Sequence, residues 1–400
     1  MDVNFSEAEQ KFFDEIDLFI RENLPSDWAL KPISWPHDYA FSGYENTADE
    51  KLAEAFVRKI IERGWYTAFW DDASGDKKYT NMQQAIFDER MSYYRAPRLG
   101  HIATGMVAPV LLRAGTLEQK EKWLPDIAAG RIKFWLGYSE PDAGSDLGSV
   151  RTTAEEVDDH YVLNGQKCWS SGAHLADYSW MIVRTDPQAQ KHKGLSFFIV
   201  DNKTPGITMD PVTNILGEHS FNNVFLDNVV VPKENLIGGK NRGFYNLMTA
   251  LDFERMCLVG IGEYKRMFEE LVEFVNNTSL DGMVLAKKQS VRKKLAELAT
   301  RIEIGYMLFW RTAEMLDNGE DPNVESSVLK LMATELAKDM ADLSMEILGP
   351  YSQYEGRSQR SPLRGLVSRG FLESISATIG AGTSEVQRNI IAQRGLGLPR

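Results

Sequence analysis

Cysteine is nearly missing from this chain: Cys168 and Cys257 are its only two in 400 residues. That pair provides neither a disulfide framework nor zinc-ligand spacing, so no metal is expected and a reducing compartment is the natural home. An excess of basic charge is missing too. The net charge of -12 excludes the basic face that a nucleic-acid binder presents. No apolar run approaches the roughly 18 residues of a membrane span, and no membrane insertion is expected. The start, Met1-Asp2-Val3-Asn4-Phe5-Ser6, lacks a basic region followed by an apolar core. The end, Gly397-Leu398-Pro399-Arg400, is not a peroxisomal address. A cytoplasmic location is expected. No G-x-G-x-x-G follows a strand pattern, which argues against a doubly wound dehydrogenase.

What the chain does contain is a change of periodicity, twice. Ser6 and Glu9 form a capping-box pattern ahead of the stripe Phe12, Phe13, Ile16, Phe19, Ile20, and Pro25 ends that helix. Helical periodicity returns near 49–63, 81–94, 100–114 and 116–128. From about 132 to 236 the pattern becomes short β-like runs: Lys133–Tyr138, Tyr161–Leu163, Trp180–Thr185, Ser196–Val200 and Asn222–Val231. Asn164-Gly165 reads as a hairpin turn. Long helices follow, about 242–276, 284–317 and 323–348, with a shorter one near 383–394. The expected fold is α+β: an N-terminal helical domain over 1–127, a middle β-barrel or sandwich over 128–237, and a C-terminal four-helix bundle over 238–400.

The stretch 243–274 organises the rest. Phe244, Leu247, Leu251, Leu258, Ile261 and Phe268 recur at helical spacing on one face. Glu254 falls among them, where a charge is out of place. A buried carboxylate needs a cationic partner or a raised pKa. Two readings stand at this point: an ion pair with Arg255 or another arginine, and a general base in a dry pocket.

Two further stretches carry chemistry. Tyr138-Ser139-Glu140-Pro141-Asp142-Ala143-Gly144-Ser145-Asp146 reads as a polar loop leaving a strand, either a turn cluster or a ligand loop. Then comes Asn164-Gly165-Gln166-Lys167-Cys168-Trp169-Ser170-Ser171-Gly172, where a large aromatic stands beside hydroxyls. Trp169 is either core or one wall of a site for a flat heteroaromatic ring.

These two motifs, at this separation, resemble the acyl-CoA dehydrogenase family. The resemblance extends to Leu117–Gly130, to Glu254-Arg255, and to Gly382-Thr383-Ser384-Glu385-Val386-Gln387-Arg388-Asn389, in family order over the whole chain. It implies FAD between the β domain and the bundle, and a coenzyme A thioester as substrate. Tyr138 and Ser139 would lie against the isoalloxazine ring. Trp169 would pack beside it, with Ser171 directed at N5. Ser145 would face the CoA-side entrance or the flavin phosphates. Thr383 and Glu385 match positions near the ribityl and adenosine parts. Ala381, Gly382, Ser145 and Arg255 complete the substrate-binding set. The resemblance also implies that the Ala381 N–H would be one of two donors to the thioester carbonyl.

Many family members place their catalytic glutamate where this chain has Ala381. A minority branch carries it in a Glu-Arg pair on the first bundle helix, which is where Glu254-Arg255 stands. The resemblance therefore implies Glu254 as the base, a trans-2-enoyl-CoA as product, and an electron-transfer flavoprotein as acceptor. Three segments depart from the family. Arg-x-x-Phe-Gly is replaced by Thr278-Ser279-Leu280-Asp281-Gly282, Gln-x-x-Gly-Gly by Glu346–Pro350, and the Trp-Pro-x-Glu-Tyr-Gly-Gly loop by Trp70–Asp76. The first two touch cross-subunit FAD contacts, so a homotetramer with altered contacts and a heterotetramer both stand. A partner-dependent or non-catalytic subunit and a flavin oxidase are the alternatives in function.

Overall fold

The computed structural model describes residues 5–31, 46–70, 78–100, 102–248, 260–280, 282–354 and 361–399. In chain order the helices are α1 (Glu7–Asn23), α2 (Thr47–Glu62), α3 (Asn81–Tyr93), α4 (Ala108–Ala114), α5 (Leu117–Ala128), α6 (Ile261–Asn277), α7 (Gln289–Asp317), α8 (Asn323–Leu348), α9 (Leu366–Ala377) and α10 (Ser384–Ile390). The architecture is α+β, helical in its N- and C-terminal parts with a sheet in the middle of the chain. Two compact units result. The first comprises Met1–Pro32, Tyr79–Ala96 and Arg255–Arg400; the second comprises Ile33–Lys78 and Pro97–Glu254. The N-terminal helices are thus shared out, α1 and α3 to the first unit and α2, α4 and α5 to the second.

In the first unit, α1 forms because Ser6 and Glu9 complete the capping box and Phe12, Ile16, Phe19 and Ile20 bury one face. α3 lies so close to α6 that a Cβ at Gly262 would sit 2.3 Å from the Glu89 carbonyl oxygen. At that contact Arg90 pairs with Glu89, which also accepts from the Tyr306 hydroxyl at 2.6 Å. The buried pair is thereby compensated within the helix interface.

The long helix expected over 242–276 is not continuous. Residues 243–248 are helical, but Gly260 takes a left-handed φ of 56° and α6 starts afresh after it. A single-residue reversal re-phases everything downstream. Phe268 is only half-buried, and Leu271 and Val275 carry the buried face instead. Glu254 and Arg255 lie outside the described residues, as does the 71–76 part of the departing N-terminal loop. The final helix is shorter than the expected 383–394, ending at Ile390 and passing into a π-turn over Ile391–Gly395. α9, which no periodicity announced, packs on α8 and supplies a further bundle helix. The departing segment near Thr278 forms a small hairpin, Ser279–Leu280 against Met283–Val284.

The second unit is built on one sheet. Its strands are β1 (Phe134–Gly137), β2 (Thr153–Val157), β3 (His160–Lys167), β4 (Tyr178–Arg184), β5 (Leu195–Asp201), β6 (Ile207–Thr213), β7 (His219–Pro232) and β8 (Leu236–Ile237). Their order is β6-β7-β3-β2-β4-β5-β8, with β1 parallel to β4. Trp135, Trp180, Phe197 and Phe198 are fully buried in its core. Each contributes on the order of 1.5–3 kcal/mol by leaving water. β2 and β6 were not anticipated. Both are largely exposed and carry polar residues, so neither presents the apolar run that marks a buried strand.

Asn164-Gly165 is not a hairpin turn. Both lie inside β3, at a register shift opposite β7. Gly165 is required there because a Cβ would come within 2.6 Å of the Thr152 hydroxyl. The chain reversal into β3 is made earlier, at Asp158, whose φ is 45°.

Candidate functional site

In the second unit, β1 ends at Gly137 and releases Tyr138 and Ser139 into the first motif loop. The Tyr138 ring lies 5.7 Å from Phe197, which itself stacks on Trp180 at 4.4 Å. Ser139 is joined to the second motif, for the Cys168 N–H donates to its carbonyl at 2.9 Å. Beneath this junction is a buried ion pair. Lys167 is fully buried, and its ammonium donates to Glu140 Oε1 (2.8 Å), to the Ile182 carbonyl (2.7 Å) and to the Tyr138 carbonyl (3.2 Å). Three N–H donors meet three acceptors. Glu140 in turn accepts from the backbone N–H of Arg151 (2.6 Å) and Thr152 (3.0 Å).

Burial brings the Lys167 ammonium down to about 8, against the pull of Glu140. Burial pushes the Glu140 carboxyl up, but Lys167 and the two N–H groups outweigh it and hold it below its ordinary value. The consequence is geometric: both motif loops are tied to one buried charge pair.

The second loop leaves β3 with Trp169 in a left-handed conformation, φ 56°. The residue is 64 % exposed, with Phe221 edge-on at 5.9 Å. Strain and exposure in the largest apolar side chain are both costly, and they mark a residue held for contact with something else. Trp169 is therefore not core. Ser171 keeps only a long 3.5 Å bond to the Trp169 carbonyl. The loop is anchored on its far side, where the Ser170 N–H donates to the Asn222 carbonyl and the Asn222 amide returns a bond to the Ser170 carbonyl, both at 3.1 Å. An outward aromatic plate beside an available hydroxyl, on a rigid two-loop base, fits a flat heteroaromatic group such as flavin. Ser145 is exposed at the outer bend of the first loop, next to Gly144. His174 and His219 stack at 3.7 Å behind Asn222, and burial and then His219 lower the His174 pKa.

In the first unit, the turn between α9 and α10 holds the other candidates. Ala381 (φ 52°) and Gly382 (φ 93°) are both left-handed. Thr383 N-caps α10, accepting from the Val386 N–H at 3.2 Å. Glu385 is exposed in the first turn. Underneath, Lys330 is 6 % exposed and donates to the carbonyls of Ala377 (3.1 Å) and Gly382 (2.8 Å). Burial lowers its pKa, with Glu335 and Glu385 opposing. The Gln387 amide donates to the Gly382 carbonyl at 3.2 Å and the Ala381 carbonyl at 3.4 Å.

The structure thus brings Tyr138, Ser139, Trp169 and Ser171 together in one unit, and Ala381, Gly382, Thr383 and Glu385 together in the other. Four supporting residues have no role in the sequence reading: Glu140, Lys167 and Gln387, which stand within its motifs, and Lys330, which it does not name. A signal existed for two of them. Lys167 shares the strand face of Tyr161 and Leu163, and Lys330 shares the helix face of Ser326, Ala333 and Ala337. Among the described residues no group of three His, Cys, Asp or Glu could hold a metal ion, and no helix is long and apolar enough to cross a membrane.

Comparison with known proteins supplies the remaining link. The acyl-CoA dehydrogenase N-terminal domain matches residues 42–131, the middle domain 136–229 and the C-terminal domain 241–396. Acyl-CoA dehydrogenase FadE26 of Mycobacterium tuberculosis is 36 % identical over 351 residues, 86 % of this chain and 87 % of that one. Among solved structures, the ChsE4-ChsE5 complex from Mycobacterium tuberculosis is similar at a TM-score of 0.86 and 32 % identity, with 100 % of both chains covered. The Tcur3481-Tcur3483 steroid ACAD is similar at a TM-score of 0.87 and 28 % identity, again over 100 % of both.

Proposed function

This chain belongs to the acyl-CoA dehydrogenase family of flavoprotein oxidoreductases, and from that premise we propose that it carries out FAD-dependent α,β-dehydrogenation of an acyl-CoA thioester. The observation that carries the reading is the pair of motif loops locked to the Lys167–Glu140 pair, with the Trp169 indole turned outward.

The chemistry that FAD would supply when bound is hydride acceptance from the substrate's β carbon. Tyr138 and Ser139 would line its ring, Trp169 would cover it beside the reacting edge, and Ser171 would direct a hydrogen bond to that edge. Thr383 and Glu385 would hold its ribityl and adenosine side, and Ser145 its phosphates or the CoA entrance. Glu254 is assigned the removal of the α proton, a general-base role that requires a carboxylate pKa near the working pH. The Ala381 N–H donates to the thioester carbonyl oxygen as negative charge gathers there. The side chain at 381 is a methyl group and leaves space near the α carbon, which suits branched or cyclic acyl groups. The product is a trans-2-enoyl-CoA, and the electrons leave to an electron-transfer flavoprotein.

The test is anaerobic bleaching of the flavin absorbance against straight, branched, cyclic and dicarboxylic acyl-CoAs. The wild type bleaches with at least one of them. Glu254→Gln keeps its flavin and slows by about 10⁴-fold, the upper range for loss of a general base. Near-normal turnover in that variant removes Glu254 from the role.

A second reading, a subunit that needs a different partner chain to complete its flavin site, is favoured by one observation. Thr278 and the adjoining hairpin stand where many relatives carry an arginine, and that hairpin exposes Leu280 and Met283. The similar ChsE4-ChsE5 complex pairs two chains, and a heterotetramer would supply the missing contact, while a homotetramer would need altered adenine-side contacts. A protein that is colourless alone and gains flavin with a partner chain supports it. Peroxide formation in air without another acceptor supports oxidase chemistry instead.

A further inference from the structure

The helical ladder of α9 runs on past its last residue and then stops at a definite place. The Ile379 and Gly380 N–H groups both donate to the Ser376 carbonyl at 3.0 Å. The next bond in an α-helical ladder runs from the Ala381 N–H to the Ala377 carbonyl. It is not made. The Ala377 carbonyl is taken by the Lys330 ammonium at 3.1 Å, and the same ammonium holds the Gly382 carbonyl at 2.8 Å. One buried side chain from α8 thus pins both ends of the turn.

Gln387 completes the arrangement from α10. It is 1 % exposed, and its amide N–H groups hold the carbonyls of Ala381 and Gly382. The turn's carbonyls face inward, and Ala381 is driven into a left-handed φ of 52°. That conformation is unfavourable for a non-glycine residue, so something must hold it. Among the described residues nothing accepts the Ala381 N–H, and Ala381 itself is exposed. A free N–H on a tightly held turn is a preorganised donor.

We propose that Lys330 is a positioning residue: by occupying the Ala377 carbonyl and fixing the Gly382 carbonyl, it keeps the Ala381 N–H out of the α9 ladder and presents it to the substrate's thioester oxygen. This rests on the dehydrogenase reading above. The Lys330 ammonium is buried under the turn, on the carbonyls of Ala377 and Gly382. It acts through the backbone of the turn.

The test uses the flavin-loaded wild type, Lys330→Met and Lys330→Arg, with carbonyl-labelled trans-2-octenoyl-CoA as the vibrational probe. The wild type lowers the probe's carbonyl stretching frequency on binding, because a hydrogen bond polarises that carbonyl. In Lys330→Met the lowering shrinks and kcat falls by about 10²-fold, the lower range for losing one such donor. Flavin content is retained and KM changes less than kcat. Lys330→Arg, which keeps the charge and the N–H donors, recovers part of both readouts. A Lys330→Met protein with wild-type frequency and kcat overturns the proposal while leaving the dehydrogenase reading intact. A wild type that neither bleaches with any acyl-CoA nor shifts the probe overturns both. Should Lys330→Met not fold, amide exchange at Ala381 in the wild type decides: fast exchange that becomes protected on adding the probe supports the proposal, and slow exchange without it overturns it.

Discussion

Two buried lysines hold the two halves of the candidate machinery, and they are not equivalent. Lys167 sits in the sheet unit against a carboxylate, with every donor used and Glu140 satisfied in turn by two backbone N–H groups. Lys330 sits in the helical unit against two carbonyls, with Glu335 and Glu385 acting on it only at longer range. The first is a closed ion pair that fixes two loops as a rigid base. The second is a cation spent on backbone geometry at a helix end, where carbonyl oxygens and the helix dipole both favour positive charge. A base for a flat ring needs rigidity. A donor to a developing negative charge needs one N–H kept free.

The contrast makes graded predictions. The largest effect belongs to Lys167→Met, which strands Glu140 as an uncompensated buried charge. Chemical denaturation should show a loss of about 3–5 kcal/mol in the sheet unit. Lys330→Met strands no carboxylate and should cost only about 1–2 kcal/mol, for unpaired carbonyls. Equal losses would erase the distinction between the two lysines.

Next comes acid sensitivity. The folded pKa of Glu140 lies below its ordinary value, so its stabilisation is present above the ordinary carboxylate pKa and is lost as pH falls through the lowered one. A stability profile of Glu140→Gln should therefore have a shallower acid limb than the wild type. An unchanged limb would place the acid-labile group elsewhere. The smallest effect on stability belongs to Trp169→Ala. The indole is mostly exposed, so denaturation should move by no more than about 0.5 kcal/mol. Flavin retention should nonetheless weaken about tenfold, since a stacked aromatic pair is worth about 0.5–1.5 kcal/mol. A large stability loss with full flavin retention would make Trp169 a packing residue.

The order of helices, strands and helices was legible because burial imposes different periods on the two element types. The capping box at Ser6 and Glu9 and the bounds of α8 at Asn323 and Leu348 were readable for the same local reason. The motif residues Tyr138, Ser139, Trp169 and Thr383 were singled out by the family resemblance. Their arrangement was not. Asn164-Gly165 carries a local turn signal, yet its glycine serves a close approach to Thr152 across the sheet. The helix after Phe244 reads as unbroken, yet Gly260 reverses its phase.

What the sequence alone determined is what depends on neighbours along the chain: much of the element order, caps, the family motifs, and the presence of a glutamate at 254 and an alanine at 381. What only the tertiary structure decided is which buried charges find partners. Lys167 meets Glu140 across 27 residues, and Lys330 meets the Gly382 carbonyl across 52. A buried ammonium is tolerable only where acceptors converge on it, and convergence from distant segments is a property of the packed fold.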